Sequence, residues 1–390
     1  MPRKKSATES PARKAAFEVL LLVEAGGYAS DLLRTRCEQT DARDARLASQ
    51  IVFGCLRFRA QLDFLIEHYS GRPPQKFDAE VLISLRMGIF QMRYLDRIPA
   101  SAAVSQSVEL ILRTRRHYAA GVVNAVLRKV DRSPVEWPDA PTELSMPRWL
   151  LDRWARQYGA ATARAIAEAS LRQPETYIRV PPGKVLGKVK AEATRVRGCF
   201  RLTGGDPGGF RIQDIGSQAV VPLLDLRPGM TFLDVCAAPG NKTAQALESG
   251  VRTVACDLHL SRLLDMKDLG CPLLALDARR PWPFRARFDR ILLDVPCSGT
   301  GTLARNPEIR WRLKPEDLAD LHQRQAKLLA NAMEMLAPRG KLVYSTCSLE
   351  REENEAVIEE VLGSAPPPAL RRIPGVDAGD GFFAAVIRST

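Results

Sequence analysis

From Ser10 onward, apolar positions in the first third of the chain recur at helical spacing. Phe17, Leu20 and Leu21 form one such stripe, with Ser10 placed as N-cap and Pro11 as the first helical residue. Asp41 is placed to cap a long helix carrying Leu47, Ile51, Val52, Cys55, Leu56, Leu62 and Ile66. A further helix is predicted from about Asp78 to Leu95. Pro99 interrupts the pattern, and two more helices follow at roughly 101–116 and 119–131. No strand alternation occurs before Val135. Residues 10–132 therefore read as an all-α helical bundle, and the polar stretch 1–9 is expected to be disordered.

Pro134 to Pro141 reads as a linker by composition. Residues 147–171 are predicted to be helical, with Trp149 and Trp154 as packing residues. Thr176 to Val180 is a predicted short strand, and Val185 to Arg195 a predicted helix. Phe200 to Ile212 reads as strands around a glycine-rich turn at Gly204–Gly209. Together 133–212 form an expected linker and small α/β subdomain. From Asp214 the pattern changes to alternating strand and helix, with strands near 231–235, 252–256, 273–276, 288–293, 341–345 and 382–387. The longest helix spans about Pro315 to Leu336. This alternation predicts a doubly wound α/β sheet, mostly parallel and covered on both faces, over 213–390.

Composition alters this multidomain picture little: 45% hydrophobic and 26% charged residues in 390 describe an ordinary globular chain. Charge narrows it more. Lys and Arg number 57 against 45 Asp and Glu, a net +12, which favours a polyanionic partner, most simply RNA or DNA. Arg113, Arg115, Arg116 and His117, with Arg57 and Arg59, are candidate phosphate contacts; helix C-terminal charge is the competing reading. The eight cysteines contain no C-x-x-C pair and no zinc-ligand spacing, so no metal is expected. No apolar run approaches the ~18 residues that span a bilayer, and the basic start lacks the apolar segment of a signal peptide. A cytoplasmic protein with free thiols and no membrane partner is the expectation, as a monomer.

Chemistry concentrates at predicted strand ends. Thr231 to Val235 runs into Cys236-Ala237-Ala238-Pro239-Gly240-Asn241-Lys242, small residues leading into a helix. Open α/β sheets bind ligands at such corners, because small side chains admit a ligand to the backbone. The stretch is neither G-x-G-x-x-G nor a P-loop, which argues against a phosphate ligand. Asp257 ends the second strand, where a carboxylate can accept both hydroxyls of a ribose, and Asp277 ends the third, within reach of an adenine amino group. Either aspartate alone is equally a helix cap. Asp294-Val-Pro-Cys297-Ser-Gly-Thr-Gly301 and Ser345-Thr-Cys347-Ser348 place two cysteines just past further strands. Buried packing is the usual fate of any single cysteine there.

In this order the three stretches resemble the motifs of Sun-type (NSUN) RNA cytosine-C5 methyltransferases, strongly over 213–388. The bundle resembles the NusB fold more weakly, at Ala15 to Leu22, Ala45 to Arg59, Leu82 to Tyr94 and Val122 to Arg128. A NusB-like RNA-binding domain ahead of this catalytic domain is the arrangement of the RsmB/Sun (Fmu) family, which modifies small-subunit rRNA. The resemblance implies a Rossmann-like class I methyltransferase domain and an RRM-like middle subdomain, although the aromatic RNP signature is missing. It implies S-adenosylmethionine as cofactor, held by Cys236 to Lys242, Asp257, Asp277 and Asp294. It implies Cys347 as nucleophile at cytosine C6, Cys297 as the group assisting release, and Asp294 as the contact to N3. Asn241 stands where the family carries a second glycine, and asparagine tolerates the left-handed conformation such a turn asks for. Arg310, Trp311 and Arg312, after Pro307, form a basic aromatic stretch read either as an RNA contact or as packing. The competing functions are the same reaction on tRNA or large-subunit rRNA, and an RNA-binding assembly factor whose methylation is dispensable.

Overall fold

The computed structural model describes residues 10–389, so the disorder expected for 1–9 lies outside the described residues. The described chain falls into two compact units. One comprises residues 10–172 with Ala304–Arg312, the other Gln173–Leu303 with residues 313–389.

The first unit is helical. Its helices include Pro11–Glu24, Ala29–Arg36, Ala42–Arg57, Arg59–Ser70, Ala79–Tyr94, Ala100–Leu112 and Ala120–Leu127. Asp41 caps as expected, accepting from the backbone N–H groups of Arg43 and Asp44. The helix it opens is broken at Phe58 into two. Ala79–Tyr94 is buried on nearly every face, with Val81, Ile83, Leu85, Met87, Ile89 and Phe90 all under 5% exposed. A helix apolar all round sits at the centre of a bundle. Its one buried cation, Arg86, is forked onto Asp63 at 2.7 and 2.9 Å and reaches Glu24 at 3.0 Å. The helix predicted over 147–171 is two helices, Arg148–Tyr158 and Ala160–Leu171, parted at Gly159 where φ is +86°. Trp154 is fully buried.

Ala304–Arg312 completes this unit from far along the sequence. Ala304 O accepts from Arg57 Nε and Nη2 at 3.0 and 2.7 Å. Trp311 Nε1 donates to Leu56 O at 2.8 Å, and Arg312 Nη2 to Val23 O at 2.7 Å. Arg310, 1% exposed, donates to Ser145 O and Ser170 O. Desolvation and the nearby Arg57 press its guanidinium down to about 9. The RNA-contact reading of Arg310 to Arg312 therefore gives way to packing, and Arg57 with them. Arg59 pairs with Glu24 at 3.2 Å and lies over the Trp311 ring, so it too is structural.

The second unit holds two sheets. The smaller contains β1 (Tyr177–Arg179), β2 (Lys190–Ala193), β3 (Cys199–Gly204) and β4 (Arg211–Ile212), antiparallel in the order β2-β3-β1-β4. The predicted helix at 185–195 is absent: Gly187 takes φ +60°, and the residues after it pair as an edge strand against β3. The strands flanking the glycine-rich turn are not partners either, since β1 lies between them.

The larger sheet contains β5 (Thr231–Asp234), β6 (Arg252–Asp257), β7 (Leu273–Ala275), β8 (Phe288–Asp294), β9 (Leu336–Thr346), β10 (Leu370–Arg372) and β11 (Phe382–Arg388). Their order is β10-β11-β9-β8-β5-β6-β7. The run from β7 to β9 is parallel, while β11 pairs antiparallel with β9 and with β10. Helices such as Asp317–Glu334 and Glu355–Leu362 supply the covering layers. Strand order reverses at β5, which lies between β6 and β8, and a crevice opens beyond the carboxyl ends at such a switch point.

Candidate active site

Every predicted site residue lies in the second unit, at or just past a carboxyl end. Asp234 closes β5, Asp257 closes β6 and Asp294 closes β8; Asp277 follows β7 and Cys347 follows β9. The loop after β5 contains a cis peptide between Ala238 and Pro239. Gly240 there takes φ +95°, a conformation that favours glycine. The next helix begins at Asn241, so asparagine is not asked to be left-handed; its Nδ2 donates to Ile212 O at 3.2 Å.

Parallel register brings β8 and β9 side by side, with Asp294 opposite Ser345. Cys297 Sγ lies 3.3 Å from Cys347 Sγ. Asp294 accepts from Lys242 Nζ at 2.6 Å through one oxygen and from Ser345 Oγ at 2.6 Å through the other. Desolvation lowers the Lys242 pKa, but the charges of Asp294 and then Cys347 outweigh it, so the ammonium is held above its usual range. Cys297 is pushed up as well, by the hydrogen bond with Cys347, by desolvation and by the Glu353 carboxylate: its thiol rises well above the usual value, which favours the neutral form. Cys236 also rises, through desolvation and the charges of Asp234, Asp257 and Asp294, which keeps it a thiol. Asp234, 1% exposed, is lifted to about 7, chiefly by desolvation; the hydrogen bond from Thr243 Oγ1 at 2.7 Å works against this.

A cavity of about 240 Å³ opens between the ends of β5, β6 and β7, lined among others by Cys236, Asp257, Leu258, Asp277, Pro296 and Leu328. Asp257 accepts from Ala238 N at 3.2 Å and His259 N at 3.0 Å, which fixes its carboxylate at the wall. Asp277 is held by Arg279, whose Nε and Nη2 reach it at 2.8 and 3.0 Å. These features fit S-adenosylmethionine, which carries a sulfonium and an ammonium with its nucleoside. Asp234 lies within electrostatic range of Asp294, Lys242 and Asp257, and its Oδ1 has no hydrogen-bond partner. Apolar walls at Leu258, Pro296 and Leu328 suit a purine.

Reasoning from sequence missed Ser345, Arg279, the apolar walls and Glu353. Glu353 sits in the run Glu350-Arg-Glu-Glu-Asn-Glu355, which looks like a solvated face, yet Glu350 and Glu353 are fully buried.

Comparison with known proteins adds the following. Residues 221–377 match the model of the 16S rRNA methyltransferase RsmB/F family, and residues 10–132 that of the NusB family. The chain is 31% identical over 416 residues to ribosomal RNA small subunit methyltransferase B of Erwinia tasmaniensis, covering 95% of this chain and 96% of that one. It is 32% identical over 420 residues to the protein of the same name from Klebsiella pneumoniae, with the same coverage. The crystal structure of PH0851 superposes with a TM-score of 0.81 over 99% of this chain and 100% of that one, at 23% identity, which speaks to the fold. S-adenosylmethionine is the cofactor of this methyltransferase fold.

Proposed function

The chain belongs to the RsmB/F family of small-subunit rRNA methyltransferases, and on that premise we propose that it methylates C5 of a cytosine in 16S rRNA, in the cytoplasm, through a covalent bond from Cys347 to C6. Cytosine C5 is too weak a nucleophile to take a methyl group unaided. S-adenosylmethionine supplies an electrophilic methyl on sulfur. Cys347, as thiolate, adds to C6 and makes C5 enamine-like, the form in which C5 can take that methyl and release S-adenosylhomocysteine. Asp294, braced by Lys242 and Ser345, contacts N3 and passes to it the proton that balances the negative charge thiolate addition drives into the ring. The C5 proton must then leave and the thiolate be eliminated; Cys297, at 3.3 Å, assists that release. Asp257 and Asp277, with the Cys236–Lys242 loop, hold the cofactor. The target base must leave its stack to reach Cys347, so a loop cytosine is the expected substrate. The observation that supports this reading best is the contact of two motif cysteines beside the Asp294–Lys242 pair.

The test compares 5-methylcytosine maps of rRNA from cells with and without the protein. One small-subunit position should lose its methyl group and regain it on complementation. Cys347→Ser should abolish transfer, since a serine hydroxyl is scarcely ionised at neutral pH. Cys297→Ser should accumulate a protein–RNA adduct that survives denaturing electrophoresis, and the double variant should form none. An adduct from Cys347→Ser alone would exchange the two roles. A tRNA or large-subunit target would appear in the same maps. Rescue of growth by Cys347→Ala would favour the assembly-factor alternative.

A further inference from the structure

The buried carboxylate of Glu353 lies outside the chemistry described so far. Glu353 is fully buried and lies behind both cysteine loops. Its Oε1 accepts from Ser298 N at 2.8 Å and Gln325 Nε2 at 2.9 Å. Its Oε2 accepts from Ser298 Oγ and from Ser348 Oγ, the latter at 2.5 Å. Ser298 and Ser348 each directly follow a motif cysteine, and their hydroxyl oxygens stand 3.1 Å apart. Gln325 also donates to Pro296 O at 2.9 Å, on the other side of Cys297. An ionised carboxylate only accepts, and four donors converge on this one.

We propose that Glu353 is a positioning residue that staples the Cys297 and Cys347 loops together and makes the two thiols chemically unequal. This rests on the covalent reading of Cys347 given above. Cys347, Glu353 and the Tyr344 hydroxyl all act on Cys297 against its ionisation, with the Gly299 N–H working the other way; Lys242, with Asp294 and Asp234 beyond it, lies within electrostatic range of Cys347. A neighbouring carboxylate disfavours a thiolate and a neighbouring ammonium favours one. The carboxylate beside it therefore disfavours ionisation of Cys297, which keeps its proton and donates it toward the Cys347 sulfur. Without Glu353 the two would compete as nucleophiles.

Alkylation by iodoacetamide, resolved by mass spectrometry at each cysteine of the full chain without RNA, reads this from pH 6 to 10. In the unaltered protein Cys347 should react about tenfold faster than Cys297 at neutral pH. Glu353→Gln keeps the volume and removes the charge. It should cut that ratio about fivefold and shift the Cys297 profile to lower pH. Ser298→Ala with Ser348→Ala removes two of the four donors and cuts the staple, so single-turnover methyl transfer should fall at least tenfold. An unchanged ratio in folded Glu353→Gln overturns the proposal, as does undiminished methyl transfer in the serine double variant. So does Cys297 reacting as fast as Cys347 in the unaltered protein, whatever the variants do. Failure of the covalent reading itself would show separately, as methyl transfer by Cys347→Ser.

Discussion

Asp234 is a residue whose ionisation bears on the cost of folding this site. Its carboxyl is fully enclosed and lifted from 3.8 to about 7. A raised folded-state value means that the folded protein prefers the protonated form. The stability this contributes is complete below about pH 4 and is lost as pH rises toward 7. At 1.36 kcal/mol per unit the loss is at most about 4 kcal/mol. Asp234→Asn retains an oxygen for Thr243 and cannot ionise. Its urea midpoint should exceed that of the unaltered protein at pH 8, and the gap should shrink toward pH 5; a gap that ignores pH would contradict this account. Asp257 acts on the ligand instead. Asp257→Ala removes an acceptor fixed by two backbone donors and should weaken S-adenosylmethionine by roughly 1–3 kcal/mol in calorimetry. Unchanged affinity would place the ribose elsewhere.

At the scale of elements, the strand-end loops depend on close backbone approach. Gly301 N donates to Cys347 O at 2.9 Å, and Gly301 O accepts from Gly381 N at 2.8 Å. A Cβ on Gly301 would stand 2.5 Å from Gly381 O and 2.7 Å from Cys347 O, both backbone atoms. Gly301→Ala should cost about 1–3 kcal/mol in denaturant and slow methyl transfer by moving Cys347. A variant with unchanged midpoint and rate would mean that the loops yield freely. The same elements show what the chain reveals in advance. β5, β8 and the Ala79–Tyr94 helix were legible because burial on two faces leaves long apolar runs. β10 was not, because Leu370-Arg-Arg372 is a short half-exposed edge without that signal. The 185–195 segment was misread as helix because two lysines and an alternating pattern on an exposed edge carry little periodicity. The cysteine pair was legible from its motifs. Glu353 was not, since a buried carboxylate in an acidic run differs from a solvated one only through donors far away in sequence.

Across the molecule, the net charge of +12 remains the broadest indication of a polyanionic partner. Structure trims the helical unit's share of it. Arg113 pairs with Glu109 at 2.9 Å and Arg116 with Asp78 at 3.3 Å, while Arg115 and His117 stay exposed. We expect Arg115→Gln to weaken rRNA binding uniformly across sequences and to reduce the slope of log affinity against log salt by about 1. An unaltered slope would remove that helix end from the RNA surface.

The segment Ala304–Arg312 also dictates an order of events during synthesis. A ribosome adds about 5–20 residues per second, so the roughly 130 residues between Arg172 and Ala304 delay completion of the helical unit by about 7–26 s. Through that interval the nascent bundle presents the open carbonyls of Val23, Leu56, Ser145 and Ser170, which Arg312, Trp311 and Arg310 later engage. A released fragment ending at Arg172 should accordingly be less stable than the same fragment supplied with a 304–312 peptide, and pulse proteolysis measures the difference. A gene cut at the boundary between the two family matches would separate this unit from its own last piece.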